Sequence, residues 1–508
     1  MIKIISRKQL FTYLLLTAIL ITSIGVGIWK LLPQHGPENW QVEKQKQLLD
    51  KVSRYTIDAE FEPTAKTVKG FQKVHYINNE DTAINEVFFH LYPNAFKDEN
   101  TLPFFEEEMI KAYPNGFSPG YINVSNVKSE GEFLKTKVDG TIMRVTLPKK
   151  LFPGEDTVID MEFIVKLPPA CGRFGYGENT FNLGNWYPVL AVYDDEGWNL
   201  DPYYSIGDPF YSDVALYDVS LKLPSFMKVA ATGHVIKNKR QNGFNLISWK
   251  TGLVRDFAMI ISPNFELAEK KVDGVLIKSY FLKETGDQGA LDYAADSIKF
   301  FSKTFGKYPY KEFSVAAADF FIGGMEYPNI VFVDKTLYGN EFLEYVVVHE
   351  TAHQWWYSMV GNDEVDEPWI DEGLTEYSTL MYYENKYGKD VEQSLFRDII
   401  QNRYKLYELN NPSDTKINKP IYKFKKWLDY DALVYARAAW MFADMRKQLG
   451  DKAFNKLLKN YFREYIYKNV SSAQFIEFVE KNTNRNWDEF FKRWLDIENI
   501  KKQGGHKS

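Results

Sequence analysis

The sequence predicts an α+β protein, and three observations predict it. Residues 10–29 carry no charged side chain. From Tyr55 to about Leu267 apolar and polar residues alternate with the period of two that a half-buried strand requires. From Asp287 onward apolar residues recur at intervals of three and four, the period of an amphipathic helix, with one brief return to strands.

The first element is a membrane segment. Lys3, Arg7 and Lys8 precede the uncharged run Leu10 to Trp29, which at about 1.5 Å per residue matches the thickness of a bilayer core. Cationic residues on the N-terminal flank place that end in the cytoplasm and everything after Lys30 outside, which predicts a single-pass protein of the cell membrane. A cleaved signal peptide is the alternative, but the apolar run exceeds the usual signal core and no A-x-A-like site follows it. Residues 1–30 are therefore expected to be the cytoplasmic N-terminus and transmembrane anchor, and 31–50 a polar stalk with a short helix at its end.

Residues 51–267 are expected to form an antiparallel β-rich domain. The segments "YTIDAEFEP", "KVHYINN", "INEVFFHLYP", "KVDGTIMRVTLP" and "DTVIDMEFIVKL" alternate and are punctuated by Gly, Pro, Asn and Asp. Inside this domain, 168–209 is dense in Gly, Pro and aromatic residues without a sustained period, so it reads as long loops, either connecting or facing a site. Residues 268–500 change character. "GVLIKSYFL" is a strand, "DQGALDYAADSIKFFSKTFG" a helix ending at Gly306, and "KEFSVAAADFFIGGMEYPNIVFVD" a short return to sheet. From Asn340 the chain reads as successive helices, expected to stop at Gly361, Gly388 and Gly450. Residues 501–508 form a polar tail.

A content of 45% hydrophobic and 16% aromatic residues can fill more than one large core. The net charge of −6, with Lys and Arg dispersed along the chain, leaves no electrostatic footprint for nucleic acid. A single cysteine, Cys171, excludes an intrachain disulfide.

The stretch "EYVVVHETAHQWWYSMVG" places two of the seven histidines four residues apart. On a helix, side chains at that spacing share a face, so His349 and His353 can reach one metal ion through their imidazole nitrogens. Glu350, on the neighbouring side, is badly placed as a ligand and well placed to take a proton from an attacking water. The alternative is that both rings are aromatic filling in a core helix. A catalytic zinc wants a third protein ligand, and eighteen residues separate His353 from Glu372 in "EPWIDEGLTEY". "NDEVDE" makes a turn and Pro368 suits the opening of a second helix, whose first turn carries Glu372 back against the first. Glu376, one turn further on, either holds the far nitrogen of a zinc histidine or is an exposed charge. Asp371 either serves the site or favours the helix N-terminus. His35, His75, His90, His234 and His506 have no ligand spacing.

With Glu372 added, "VVVHETAHQWW" and "WIDEGLTEY" resemble the aminopeptidase N family of zinc peptidases, gluzincins whose pattern is near V-x-H-E-x-x-H-Q-W-[FW] and W-L-N-E-G. The family's G-x-M-E-N signature has its counterpart in "GGMEYPNIVF" at residues 323–332, ahead of the histidine pair, with Tyr327 where Asn is common. The resemblance runs from about Tyr55 to Leu495. It implies a saddle-like β domain on a thermolysin-like catalytic domain, one Zn2+ per chain, and removal of N-terminal residues from peptides with a free amino terminus. It also implies that Glu326 binds the substrate ammonium, that the strand containing Gly323, Gly324 and Met325 pairs with the peptide backbone, and that Tyr435, in "VYARAAWMFADMRKQLG", stabilises the oxyanion. Tyr430 lies close by, and Arg437 and Ala438 replace the usual Lys-Gly. The family's second amine-binding acid has no match in "FNLGNWYPV".

Two other functions remain open at this stage. One is an endopeptidase or another small-molecule hydrolase built on the same site. The other is a catalytically silent binding protein on a peptidase scaffold, which the intact set His349, Glu350, His353 and Glu372 argues against.

Overall fold

Alternating side chains put one face of each early strand inside, and Arg54–Glu62 follows the pattern without a break, with every second residue buried. The computed structural model describes residues 38–496. The membrane segment expected in 1–30 and the tail 501–508 lie outside the described residues. Among the described residues no helix is long and apolar enough to cross a membrane. The helix expected late in 31–50 forms at Asn39–Leu48, but it does not behave as a free stalk. Gln41 on it is buried and donates to the Lys307 carbonyl at 2.7 Å, and Gln45 donates to the Tyr467 hydroxyl at 2.7 Å.

The β-rich part is built on an eight-stranded sheet, with two four-stranded sheets beside it. The large sheet runs in the order His234–Gln241, Phe244–Lys250, Leu216–Pro224, Arg54–Glu62, Thr67–Ile77, Asp156–Lys166, Tyr121–Ser129, Glu132–Phe133. It is not wholly antiparallel as expected. Arg54–Glu62 and Leu216–Pro224, far apart in sequence, pair in parallel, because the intervening chain returns to the sheet from the other end. The loop-rich stretch 168–209 contains only short strands, among them Phe174–Tyr176 and Phe181–Leu183.

The second sheet has five strands, in the order Phe265–Val272, Val275–Leu282, Glu312–Ala318, Ile330–Asp334, Gly324–Met325. Phe265–Val272 pairs with Val275–Leu282 along its whole length and crosses the expected boundary at 267. The three middle strands are parallel, and Gly324–Met325 lies antiparallel at the edge. Helices follow, of which Leu343–Ala352, Trp369–Tyr387 and Ala438–Leu449 frame the site described next. Gly388 and Gly450 end their helices with φ of 91° and 79°, as expected of glycine stops. Gly361 does not. The helix before it stops at Ala352, where the chain turns through Tyr357 at φ 141°, and Gly361 pairs with Asn469 in a two-residue strand. Arg255 enforces that turn by donating to the Tyr357 carbonyl at 2.6 Å, and its guanidinium fills the space a Cβ on Gly361 would need.

Candidate active site

Each residue of "HQWW" has a structural task that fixes the Leu343–Ala352 helix. Gln354 accepts from the Asn329 N–H at 2.8 Å and donates to the Tyr327 carbonyl at 3.1 Å, tying this helix to the "GGMEYPN" turn. Trp355 donates to the Gly306 carbonyl and Trp356 to the Ser378 hydroxyl, both at 2.9 Å. Gly373 lets the Trp369–Tyr387 helix approach Ala438 closely, since a Cβ there would lie 2.3 Å from the Ala438 Cβ.

This packing brings the expected ligands together. His349 Nε2 lies 3.2 Å from His353 Nε2 and 3.3 Å from Glu372 Oε2, and His353 Nε2 lies 3.2 Å from the same oxygen. The far nitrogens are held as well: His349 Nδ1 is 3.0 Å from Glu376 Oε2, and His353 Nδ1 is 3.0 Å from the Trp356 carbonyl oxygen. A carbonyl and a carboxylate can only accept, so each Nδ1 carries a proton, and each Nε2, facing Glu372, either gives its lone pair to a metal ion or holds a second proton shared with the carboxylate. Three acceptors at such spacing need positive charge between them. A tetrahedral ion with bonds of about 2.0–2.1 Å sets its ligands about 3.3 Å apart, so the three residues fit zinc by spacing as well as by donor type. Electrostatics agrees. Burial opposes charge on His349, yet the Glu372 and Glu376 carboxylates outweigh it and raise the imidazole to about 10. Burial would likewise raise Glu372, but His353 and His349 hold it well below the usual carboxylate range.

Glu376 is thus a buried partner of a ligand ring and not an exposed charge. Its loss should free the His349 ring to rotate. Glu376→Gln is expected to weaken zinc about 10- to 100-fold, read by competition with a chromophoric chelator; unchanged affinity would make Glu376 a bystander.

The remaining residues surround a cleft of about 270 Å³. Glu350 lines it, and burial pushes its carboxyl up to about 7 against the pull of the two histidines. Gly324 makes room for it, as a Cβ there would sit 2.2 Å from Glu350 Oε1. Tyr435 donates to Glu372 Oε1 at 2.5 Å and stacks on His349 at 5.9 Å. It sits in the wide-turned π-helical stretch Asp431–Arg437 that leads into Ala438–Leu449. Tyr430 is fully buried against Phe424 and Trp427 and does not line the cleft.

Glu326 also lines the cleft, and burial followed by the nearby Asp208 pushes its carboxyl well above the usual range. Gly323 has φ 93° and accepts from the Asp334 N–H, leaving Gly324–Met325 as a short edge strand. The Met325 side chain is buried against the Arg173 guanidinium, and of the expected strand Gly323 and Gly324 line the cleft while Met325 does not. Tyr327, the departure from Asn, points away from the cleft and is buried against Gly184 of the β-rich part. Two ion pairs of the cleft escaped sequence reasoning, Arg403–Asp431 on the helical side and Arg173–Asp208 from the loop-rich stretch 168–209. Carboxylate oxygens of Asp208, Glu326 and Glu372 lie within 4.8 Å of one another. The composition of that stretch hinted at a site, but no spacing marked either pair. His75, His90 and His234 lie on strands of the β-rich part, outside the cleft lining.

Comparison with known proteins places this geometry. Residues 289–494 match the family described as the Peptidase family M1 domain. Among curated proteins, aminopeptidase N of Lactobacillus delbrueckii subsp. lactis is 26% identical over 44% of this chain and 28% of its own length. Aminopeptidase M1 of Arabidopsis thaliana is 21% identical over 68% of this chain and 43% of its own. The chain therefore spans less than half the length of these relatives. Leukotriene A-4 hydrolase of Xenopus laevis is 22% identical over 67% of this chain and 57% of its own. The crystal structure of an M1 zinc metallopeptidase from Deinococcus radiodurans shares the fold, with TM-score 0.65 and 17% identity over 91% of this chain and 96% of that one.

Proposed function

From the Peptidase family M1 domain that this chain carries over residues 289–494, we propose that it is a zinc aminopeptidase. The observation that carries the reading is a distance. The acids that can receive an ammonium, Glu326 and Asp208, reach within 4.8 Å of an oxygen of the ligand Glu372. Little more than one residue fits between an amine seated there and a carbonyl presented to the ion, since successive Cα atoms are about 3.8 Å apart.

His349, His353 and Glu372 would hold a zinc ion, which would supply polarisation of the scissile carbonyl and acidification of water. Glu350 accepts the proton of the attacking water and returns it to the leaving amine. Tyr435 turns its hydroxyl from Glu372 to the developing oxyanion. The backbone edge at Gly323, Gly324 and Met325 pairs with the peptide as an added strand. Glu326 and Asp208 exchange the water around the substrate ammonium for charge-assisted hydrogen bonds, while Arg173 holds Asp208 in place.

The test compares a short peptide with its N-acetylated twin. The free-amine peptide should be cleaved at its first bond and the acetylated one at least about 100-fold more slowly, the cost of leaving buried acids unpaired. Equal rates on both would transfer the site to an endopeptidase or another hydrolase. On the charge pattern of residues 1–30 we further place the catalytic part on the outer face of the cell membrane, so protease added to intact cells should remove the activity.

A further inference from the structure

Beside the cleft, three carboxylates meet with no salt bridge to a basic side chain among the described residues; the His353 ring, within 4.8 Å of Glu326, is the basic group nearest that residue. Oxygens of Glu326, Glu364 and Asp371 lie within 4.8 Å of one another, on residues only 2–4% exposed. Both oxygens of Glu364 and Oε1 of Glu326 are enclosed with no hydrogen-bond partner. Asn362 donates through Nδ2 to Asp371 Oδ1 at 2.8 Å, and its own Oδ1 is enclosed and unpaired. The two buried arginines nearby make no hydrogen bond to the cluster, although the Arg255 charge acts on Glu364 from a distance. Arg173 pairs with Asp208, and Arg255 donates to Tyr357, Ser212, Asn469 and Lys468. Glu364 and Asp371 do not line the cleft, so a substrate ammonium at Glu326 leaves them unanswered. Buried carboxylates in such number persist when they are protonated, paired or coordinate a metal, and only a metal answers three that converge at this spacing while still charged.

We propose that Glu326, Glu364 and Asp371 form a second cation site, with the Asn362 amide oxygen as a neighbouring donor, for a hard divalent ion of the calcium type. The available donors are all oxygens, which favours hard cations over zinc. Bonds of about 2.3–2.6 Å span ligand pairs up to about 5 Å apart, so oxygens within 4.8 Å of one another can share such an ion. Glu326 belongs to both the cleft and this cluster, so the ion holds its carboxylate in place for an incoming ammonium. That last consequence rests on the aminopeptidase reading; the site itself does not.

The experiment uses the full chain, stripped with chelator and reloaded with one zinc, then equilibrated with calcium. Metal content is read by mass spectrometry and thermal unfolding is followed in parallel. Wild type should take up one calcium beyond its zinc, and its midpoint should rise by a few degrees at calcium well above the dissociation constant. Glu364→Gln should keep the zinc and lose both the calcium and the shift. Asp371→Asn should do the same, and serves if the first variant fails to fold. Wild type that binds zinc alone, with a midpoint indifferent to calcium, overturns the proposal, as does calcium uptake undiminished in both variants. Cleavage of a free-amine peptide, measured with and without calcium, separates the two readings: calcium bound without peptidase activity overturns only the proposed function.

Discussion

Glu350→Gln keeps its zinc and its fold and loses about 10²- to 10⁴-fold in kcat, the range for removal of a general base. Glutamine fills the same volume, which matters because Gly324 leaves room for this side chain and no more. It retains a hydrogen-bonding oxygen yet cannot take a proton at neutral pH. KM should change little, because the Glu350 carboxyl acts on the water's proton and not on the substrate ammonium, although one of its oxygens lies within 4.8 Å of a Glu326 oxygen. Zinc content measured on the same preparation excludes loss of metal as the cause. Turnover at the wild-type rate would remove Glu350 from the chemistry.

Tyr435→Phe is the second large effect, a loss of about 10²- to 10³-fold in kcat with KM within a few-fold of wild type. Phenylalanine preserves the stacking on His349, so the ring that holds the ion is left in register. What disappears is the hydroxyl, which donates to Glu372 in the resting site and is free to turn toward the oxyanion only when substrate is present. A matching fall in affinity for a ground-state substrate analogue would recast Tyr435 as a binding residue. A kcat within threefold of wild type would leave the oxyanion without this donor.

The grouping of the proposed ligands was legible in the sequence because it is local. His349 and His353 are one helical turn apart, and Glu372 and Glu376 are one turn apart on the next helix, so helical geometry alone aims each pair. The strands of the β-rich part were legible for the same reason, as the period of two in Arg54–Glu62 survives intact in its burial. What the sequence hid depends on contacts between distant segments. Arg173 and Asp208 reach the cleft from loops without periodicity, and only tertiary packing sets them beside Glu326. The helix ends at Ala352 and not at Gly361, and the turn that follows it is tied through the Tyr357 carbonyl to Arg255, about 100 residues away in sequence, a contact no local pattern announces. The parallel pairing of Arg54–Glu62 with Leu216–Pro224 is non-local in the same way.

The ion itself carries the whole account, and zinc K-edge X-ray absorption on the purified chain, with metal quantified on the same sample, tests it most directly. One zinc per chain is expected, bound by two imidazole nitrogens and carboxylate oxygen at about 2.0–2.1 Å, with the histidine signal lost in His349→Ala and metal affinity collapsing in Glu372→Ala. Protein that holds no zinc after loading, or zinc whose coordination is unchanged in both variants, would contradict it.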